Sequence, residues 1–237
     1  MAYLERTGDG IPQISVVPPI VDRRSGGDAS RGLQSRSQRH AQHSIIFYEG
    51  DQADRVFELD DGIVMLYKLL PDGRRQVVEI LNPGMIFGIA AGTRYDCSAE
   101  TLTPARVSAF DRKEIDGCNT LQRHVSKCLI SQMEKMHEHA MLLGRKSALE
   151  RVASYLLRMV PNRGGEDCIG PRDAECDGHD LALSMTRQEI ADYLGLTIET
   201  VSRVISELKR RGVIRLERQD RIHVNRVCGL CQLTGIH

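Results

Sequence analysis

Residues 186–214 read TRQEIADYLGLTIETVSRVISELKRRGVI, and this stretch decides how the rest of the chain is understood. Thr186 and Glu189 make a T-x-x-E capping box, which opens a helix whose inward positions are Ile190, Ala191 and Leu194. Gly195 ends it. Thr197 caps a second helix that runs to Arg211 and closes at Gly212, with Val201, Val204, Ile205 and Leu208 as its buried stripe. Two helices joined by a short turn containing glycine form a helix-turn-helix. On the opposite face of the second helix, Glu199, Ser202, Arg203 and Ser206 fall at i, i+3, i+4 and i+7. The N-terminal end of such a helix meets base edges in the major groove, where arginine pairs with guanine and glutamate accepts from cytosine. Ile198 is placed for a thymine methyl. Beyond Gly212, VIRLE and RIHVN flank Arg218, Gln219 and Asp220 as a β-hairpin wing. Two capped amphipathic helices also suit an ordinary helical core, and Glu199 with Arg203 also suits an i,i+4 surface pair.

Charge supports the DNA reading only locally. The chain carries 32 Lys and Arg against 32 Asp and Glu, so overall balance announces no polyanionic partner. Between Thr186 and Arg226, however, nine bases face six acids. Composition as a whole, 41% hydrophobic and 27% charged over 237 residues, is that of a globular chain of about two domains. No apolar run reaches the roughly 18 residues of a membrane span, and MAYLERTGDGIPQ has no signal-peptide core, so a cytoplasmic location without a membrane partner is expected.

Upstream, the period changes twice. Residues 1–43 are rich in Ser, Gly, Arg, Gln and Pro and read as a poorly ordered arm. Residues 44–118 break into the runs IIFY, VFEL, IVMLYKL, QVVEIL, MIFGI and ARVSAF, separated by Gly50, Gly62, Gly73 and Gly84, which predicts an all-β unit. From Asn119 the pattern is helical: Leu129, Met133, Met136, Ala140 and Leu143 recur at spacings of 4, 3, 4 and 3, as in a dimer seam, although packing on the helix's own domain gives a similar period. Residues 119–145 are thus assigned to a dimerisation helix. A second amphipathic helix carries Leu149 to Val160, a Pro- and Gly-rich connection covers 161–180, and residues 146–237 form the last domain.

Seven cysteines, odd in number and scattered, do not form a disulfide framework. Cys228 and Cys231 have C-x-x-C spacing, with Cys168, Cys176 and His179 upstream, which leaves a thiol or metal protein as one rival reading. No second well-spaced pair supports a metal site. His137 and His139 read as solvated helix-face residues. No catalytic triad, phosphate loop or paired acids emerges, so no enzyme is expected.

The chain resembles the CRP/FNR superfamily, and within it the FixK-like branch. The likeness rests on the 186–214 stretch, above all ETVSR at 199–203, together with FYEGD (47–51), ELDDGIVMLYKLLPDGRRQVVEILNPGMIFG (58–88) and LLGRKSALERVASYLL (142–157). It implies an α+β architecture: an N-terminal β-roll, a jelly roll of the cyclic-nucleotide-binding type, then a long dimerisation helix and a C-terminal winged helix-turn-helix. It also implies a homodimer binding a TTGAT-type palindrome in double-stranded DNA, base recognition by Glu199, Ser202 and Arg203, and recruitment of RNA polymerase. Thr186, Arg187, Gln188, Thr197, Thr200 and Lys209 stand as candidate phosphate contacts. The family's cyclic-nucleotide pocket places a glutamate after the Phe-Gly dipeptide and an arginine for the phosphate, whereas this chain has Ile89 after Phe87-Gly88 and Cys97-Ser98 in place of the arginine pair. A buried phosphate without a cation is costly, so no nucleotide cofactor is expected and a cyclic-nucleotide receptor becomes the second rival. No cysteine precedes Cys97, so the family's four-thiolate iron–sulfur set is incomplete.

Overall fold

In the computed structural model, residues 36–163 and 177–235 are described; most of the arm expected over 1–43, and Cys168 and Cys176, lie outside them. Eight strands build the N-terminal unit: β1 (Arg36–His40), β2 (Ile45–Phe47), β3 (Arg55–Asp61), β4 (Val64–Leu69), β5 (Arg75–Leu81), β6 (Ile86–Phe87), β7 (Ser98–Thr101) and β8 (Ala105–Asp111). They form two four-stranded antiparallel sheets, ordered β1-β8-β3-β6 and β2-β7-β4-β5. β1 falls within the stretch expected to be unstructured. Its sequence RSQRH shows no alternation because it is an edge strand, almost wholly exposed and paired to β8 alone.

The sheets close on a core of stacked rings, with Phe47 against Tyr95 at 3.8 Å between centroids and Phe57 against Phe87 at 5.3 Å. β4 explains why the run IVMLYKL has no polar face. Val64 and Leu66 enter this ring core, while Ile63, Met65 and Tyr67 point the other way, into a second core shared with the C-terminal unit. A strand buried on both faces needs apolar residues at consecutive positions. Gly62 makes the turn before β4 at φ +91°, where an added Cβ would sit 2.5 Å from the Pro104 carbonyl oxygen.

A short helix α1 (Arg112–Asp116) leads into α2 (Asn119–Arg145), then α3 (Ala148–Arg158). The break falls after Arg145, as the 119–145 assignment expects, and a Ser147–Glu150 capping box starts α3. α2 lays Leu121, Gln132, His139 and Leu142 on its own chain. Its other face leaves Leu129, Ile130, Met133 and Met136 42–56% exposed. Ala140 is exposed as well, but Leu143 is half-buried and packs on the C-terminal core, because the helix end turns into the α3 junction there. Arg151 ties that junction, donating to the carbonyls of Leu143 (2.6 Å), Lys146 (2.9 Å) and Leu194 (3.0 Å).

The C-terminal unit adds β9 (His179–Ala182), α4 (Arg187–Leu194), α5 (Ile198–Arg210), β10 (Ile214–Arg218), β11 (Arg221–Val224) and α6 (Val227–Gln232). β10, β11 and β9 form an antiparallel sheet in that order. No helix among the described residues is long and apolar enough to cross a membrane.

Candidate nucleic-acid interface

The capping chemistry expected at 186–200 is present. Thr186 Oγ1 accepts from the Glu189 amide at 3.2 Å, and Glu189 Oε2 accepts from the Thr186 amide at 2.7 Å. Gly195 adopts φ +60°, the left-handed turn that stops α4 and redirects the chain into α5. Thr197 Oγ1 caps α5 by accepting from the Thr200 amide at 3.2 Å. Val201, Ile205 and Leu208 are buried, which seats α5 on α3 and α4 and fixes which face it turns outward.

That outward face carries Glu199, Ser202, Arg203 and Ser206, all exposed, with Ile198 beside them at 37% exposure. Ser202, Arg203 and Ser206 line a shallow depression together with Glu207 and Arg210. The Glu199 carboxyl is held below the usual carboxylate range by its own backbone amide, then by Thr197 and the nearby Arg203 charge. A carboxylate acceptor and a guanidinium donor thus sit one turn apart on an uncovered surface. Near the helix end, Arg210 and Arg211 both pair with Glu207, whereas Lys209 is exposed.

Among the candidate phosphate contacts, Thr186, Thr197 and Lys209 are exposed, and Thr200 shares a hydroxyl hydrogen bond with Thr197 at 3.1 Å. Gln188 is exposed but donates to Asp192 at 2.7 Å. Arg187 is half-buried. Its Nη1 is buried without a hydrogen-bond partner, and burial lowers the pKa of its guanidinium, offset in part by Tyr155.

The wing brings a feature that the sequence reading passed over. Arg218 and Arg221 lie directly opposite each other across the hairpin, both exposed. Facing like charges destabilise a hairpin unless an anion lies between them, and the RQDR turn was the available signal. β9, which begins at the end of the Pro- and Gly-rich connection, backs this hairpin through Leu181 against Ile222.

His139 is a correction. It is not solvated: its ring stacks on Tyr193 at 4.3 Å between centroids, and burial, then Arg158, pushes its pKa down to about 4. Cys228 and Cys231 occupy one turn of α6 and form no disulfide; Cys228 Sγ lies 3.1 Å from Arg163 Nη2. Cys97 lies against the ring core, where burial first, and Asp96 second, raise its thiol to about 12.

Known proteins match this architecture along most of its length. Residues 150–233 match the Crp-like helix-turn-helix domain model, and residues 37–118 match the cyclic nucleotide-binding domain model. The chain is 38% identical over 171 residues to the nitrogen fixation regulation protein FixK of Rhizobium meliloti, covering 72% of this chain and 74% of that one. The chain belongs to the CRP/FNR family of transcription regulators. Transcriptional activatory protein AadR of Rhodopseudomonas palustris is 37% identical over 184 residues, 74% of this chain and 72% of the relative. Among solved structures, FixK2 from Bradyrhizobium japonicum superposes with TM-score 0.72 at 30% identity, covering 86% of this chain and all of that one. The α5 face therefore belongs to a DNA-binding transcription regulator of the FixK-like branch, built as a β-roll, a long helix and a helix-turn-helix.

Proposed function

We propose that this regulator binds a TTGAT-type palindrome as a homodimer in the cytoplasm and activates transcription by engaging RNA polymerase. The uncovered α5 face carries the proposal. Glu199, Ser202 and Arg203 read base edges, and Ile198 meets a thymine methyl. The exposed amide-rich starts of α4 and α5, with Thr186, Gln188, Thr197, Thr200 and Lys209, meet the phosphates, and Arg218 and Arg221 hold the backbone at the wing. Relatives named as activators support the direction of control. The apolar strip Leu129, Met133, Met136 and Ala140 supports a two-fold pairing of α2, which matches two half-sites. DNA binding proceeds without cyclic nucleotide: Ile89 packs against the apolar cluster around Phe110, and Cys97 supplies no cation.

Selection of bound sequences from random DNA by the purified chain tests this reading. It is expected to return a two-fold symmetric site with TTGAT-type half-sites and without added nucleotide. Enrichment of asymmetric sequences, or a requirement for cyclic AMP, contradicts it.

A further inference from the structure

A cluster of charged groups lies where the β-roll meets the helix-turn-helix. His43 precedes β2, Glu100 is on β7 and Glu189 is on α4. His43 Nδ1 stands 3.3 Å from Glu100 Oε1 and 3.7 Å from Glu189 Oε1, and the three donor atoms lie within 4.8 Å of one another. Donors each about 2.1 Å from a tetrahedral metal stand about 3–3.5 Å apart, so small side-chain rotations bring this set onto one ion.

Glu189 has one oxygen held by a hydrogen bond and Glu100 has one drawn toward an arginine, which leaves the other oxygen of each toward the cluster. Glu189 Oε2 accepts from the Thr186 amide, while Oε1 faces His43 beyond hydrogen-bond distance although the side chain is only 6% exposed. Glu100 Oε2 lies 3.5 Å from Arg75 Nη1, and this side chain is 13% exposed. Fixing the second oxygen orients a ligand carboxylate for a metal. His43 is held by its amide donating to the Thr101 carbonyl at 2.8 Å, and Ser44 donates to Thr101 Oγ1 at 2.9 Å. Arg75 pairs with both Glu100 and Asp192, and Glu189 adds a third carboxylate to the cluster through His43, a local gathering of negative charge that suits a divalent cation.

We propose that His43, Glu100 and Glu189 bind a first-row divalent transition metal, which fastens the helix-turn-helix to the β-roll. One imidazole and two carboxylates favour such an ion over calcium or magnesium, which take oxygen ligands throughout. The donors come from both units and meet only when these are docked, so metal binding and docking are thermodynamically linked. His43, 46% exposed in its side chain, leaves the site open to entry from solvent.

Cobalt(II) titration of the full chain, followed by absorption and by thermal melting, tests the site without involving DNA. One equivalent is expected, with d–d bands, no thiolate charge-transfer band and a raised melting temperature. His43→Asn suits the left-handed backbone at φ +58° better than histidine does, and Glu100→Gln keeps the side-chain shape. Each is expected to weaken cobalt binding more than about tenfold while leaving the metal-free melt cooperative. Absence of cobalt uptake, a thiolate band accounting for the bound metal, or unchanged affinity in either variant overturns the proposal.

Discussion

Arg75 on β5 donates through Nε to Asp192 Oδ2 on α4 at 2.8 Å, an ion pair linking residues 117 positions apart. The guanidinium also lies 5.4 Å from the centre of the Tyr67 ring. Beside it, Gln76 donates to the Tyr193 carbonyl at 3.4 Å. The helix-turn-helix is therefore seated on the β2-β7-β4-β5 sheet, and the two units share one apolar core through Met65, Tyr67 and Val77.

This pair is 23% and 10% exposed, shielded enough to exceed an ordinary surface pair. Arg75→Ala and Asp192→Ala are expected to show a coupling energy on the order of 1–2 kcal/mol in a double-mutant cycle by denaturant unfolding. Additive effects would remove the ion pair from the docking account.

How much of this was legible in the sequence varied with where each residue's partner lay. The cap at Thr186, the stop at Gly195 and the α5 stripe depend on neighbours within a few positions, and they were read correctly. β4 was recognisable as a strand, but its two-faced burial depends on a helix more than a hundred residues away. His139 reads as solvated for the same reason: a polar residue on a helix looks outward until its packing on Tyr193 is known. β7 was missed because SAET has little apolar content, and its pairing with β2 and β4 is set by the sheet.

Neither ring nitrogen of His139 has a hydrogen-bond partner among the described residues. Its folded pKa of about 4 lies below the ordinary 6.5, so the stability it contributes is complete above pH 6.5 and is lost as pH falls through about 4. His139→Phe keeps the stack on Tyr193 and is expected to be neutral or stabilising by about 1 kcal/mol at pH 7, with a shallower acid limb. Urea melts from pH 8 to 4 check both; a loss of stability at pH 7 would show that an imidazole nitrogen is engaged.

Glu79 on β5 behaves oppositely. Burial, countered only in part by Lys135, raises its carboxyl from 4.5 to about 7. Stability tied to the neutral form is complete below pH 4.5 and is lost as pH rises through about 7. Glu79→Gln is expected to remove that loss, making the variant more stable than wild type at pH 8 by on the order of 2 kcal/mol. Parallel stability profiles for the two proteins would contradict the assignment.

On α2, Met133 and Met136 are 50% and 55% exposed in the single chain. Replacing both with glutamate is expected to yield a folded monomer by sedimentation, with unchanged far-ultraviolet dichroism. A double variant still dimeric at micromolar concentration would place the seam elsewhere.

The central claim is that the exposed face of α5 reads sequence, and Arg203 tests it against Lys209, six residues farther along the same helix. A good bidentate base contact contributes about 1–3 kcal/mol of discrimination, and a symmetric dimer makes it twice. Binding of Arg203→Ala and Lys209→Ala should be measured on the selected palindrome, and on a version altered at its guanines, across several salt concentrations. Arg203→Ala is expected to lose roughly 2–6 kcal/mol on the palindrome and little on the altered DNA. Lys209→Ala should weaken both DNAs alike and lower the salt slope by about one per contact. Equal loss on both DNAs for Arg203→Ala would make that arginine a backbone contact and contradict base reading by this face of the helix.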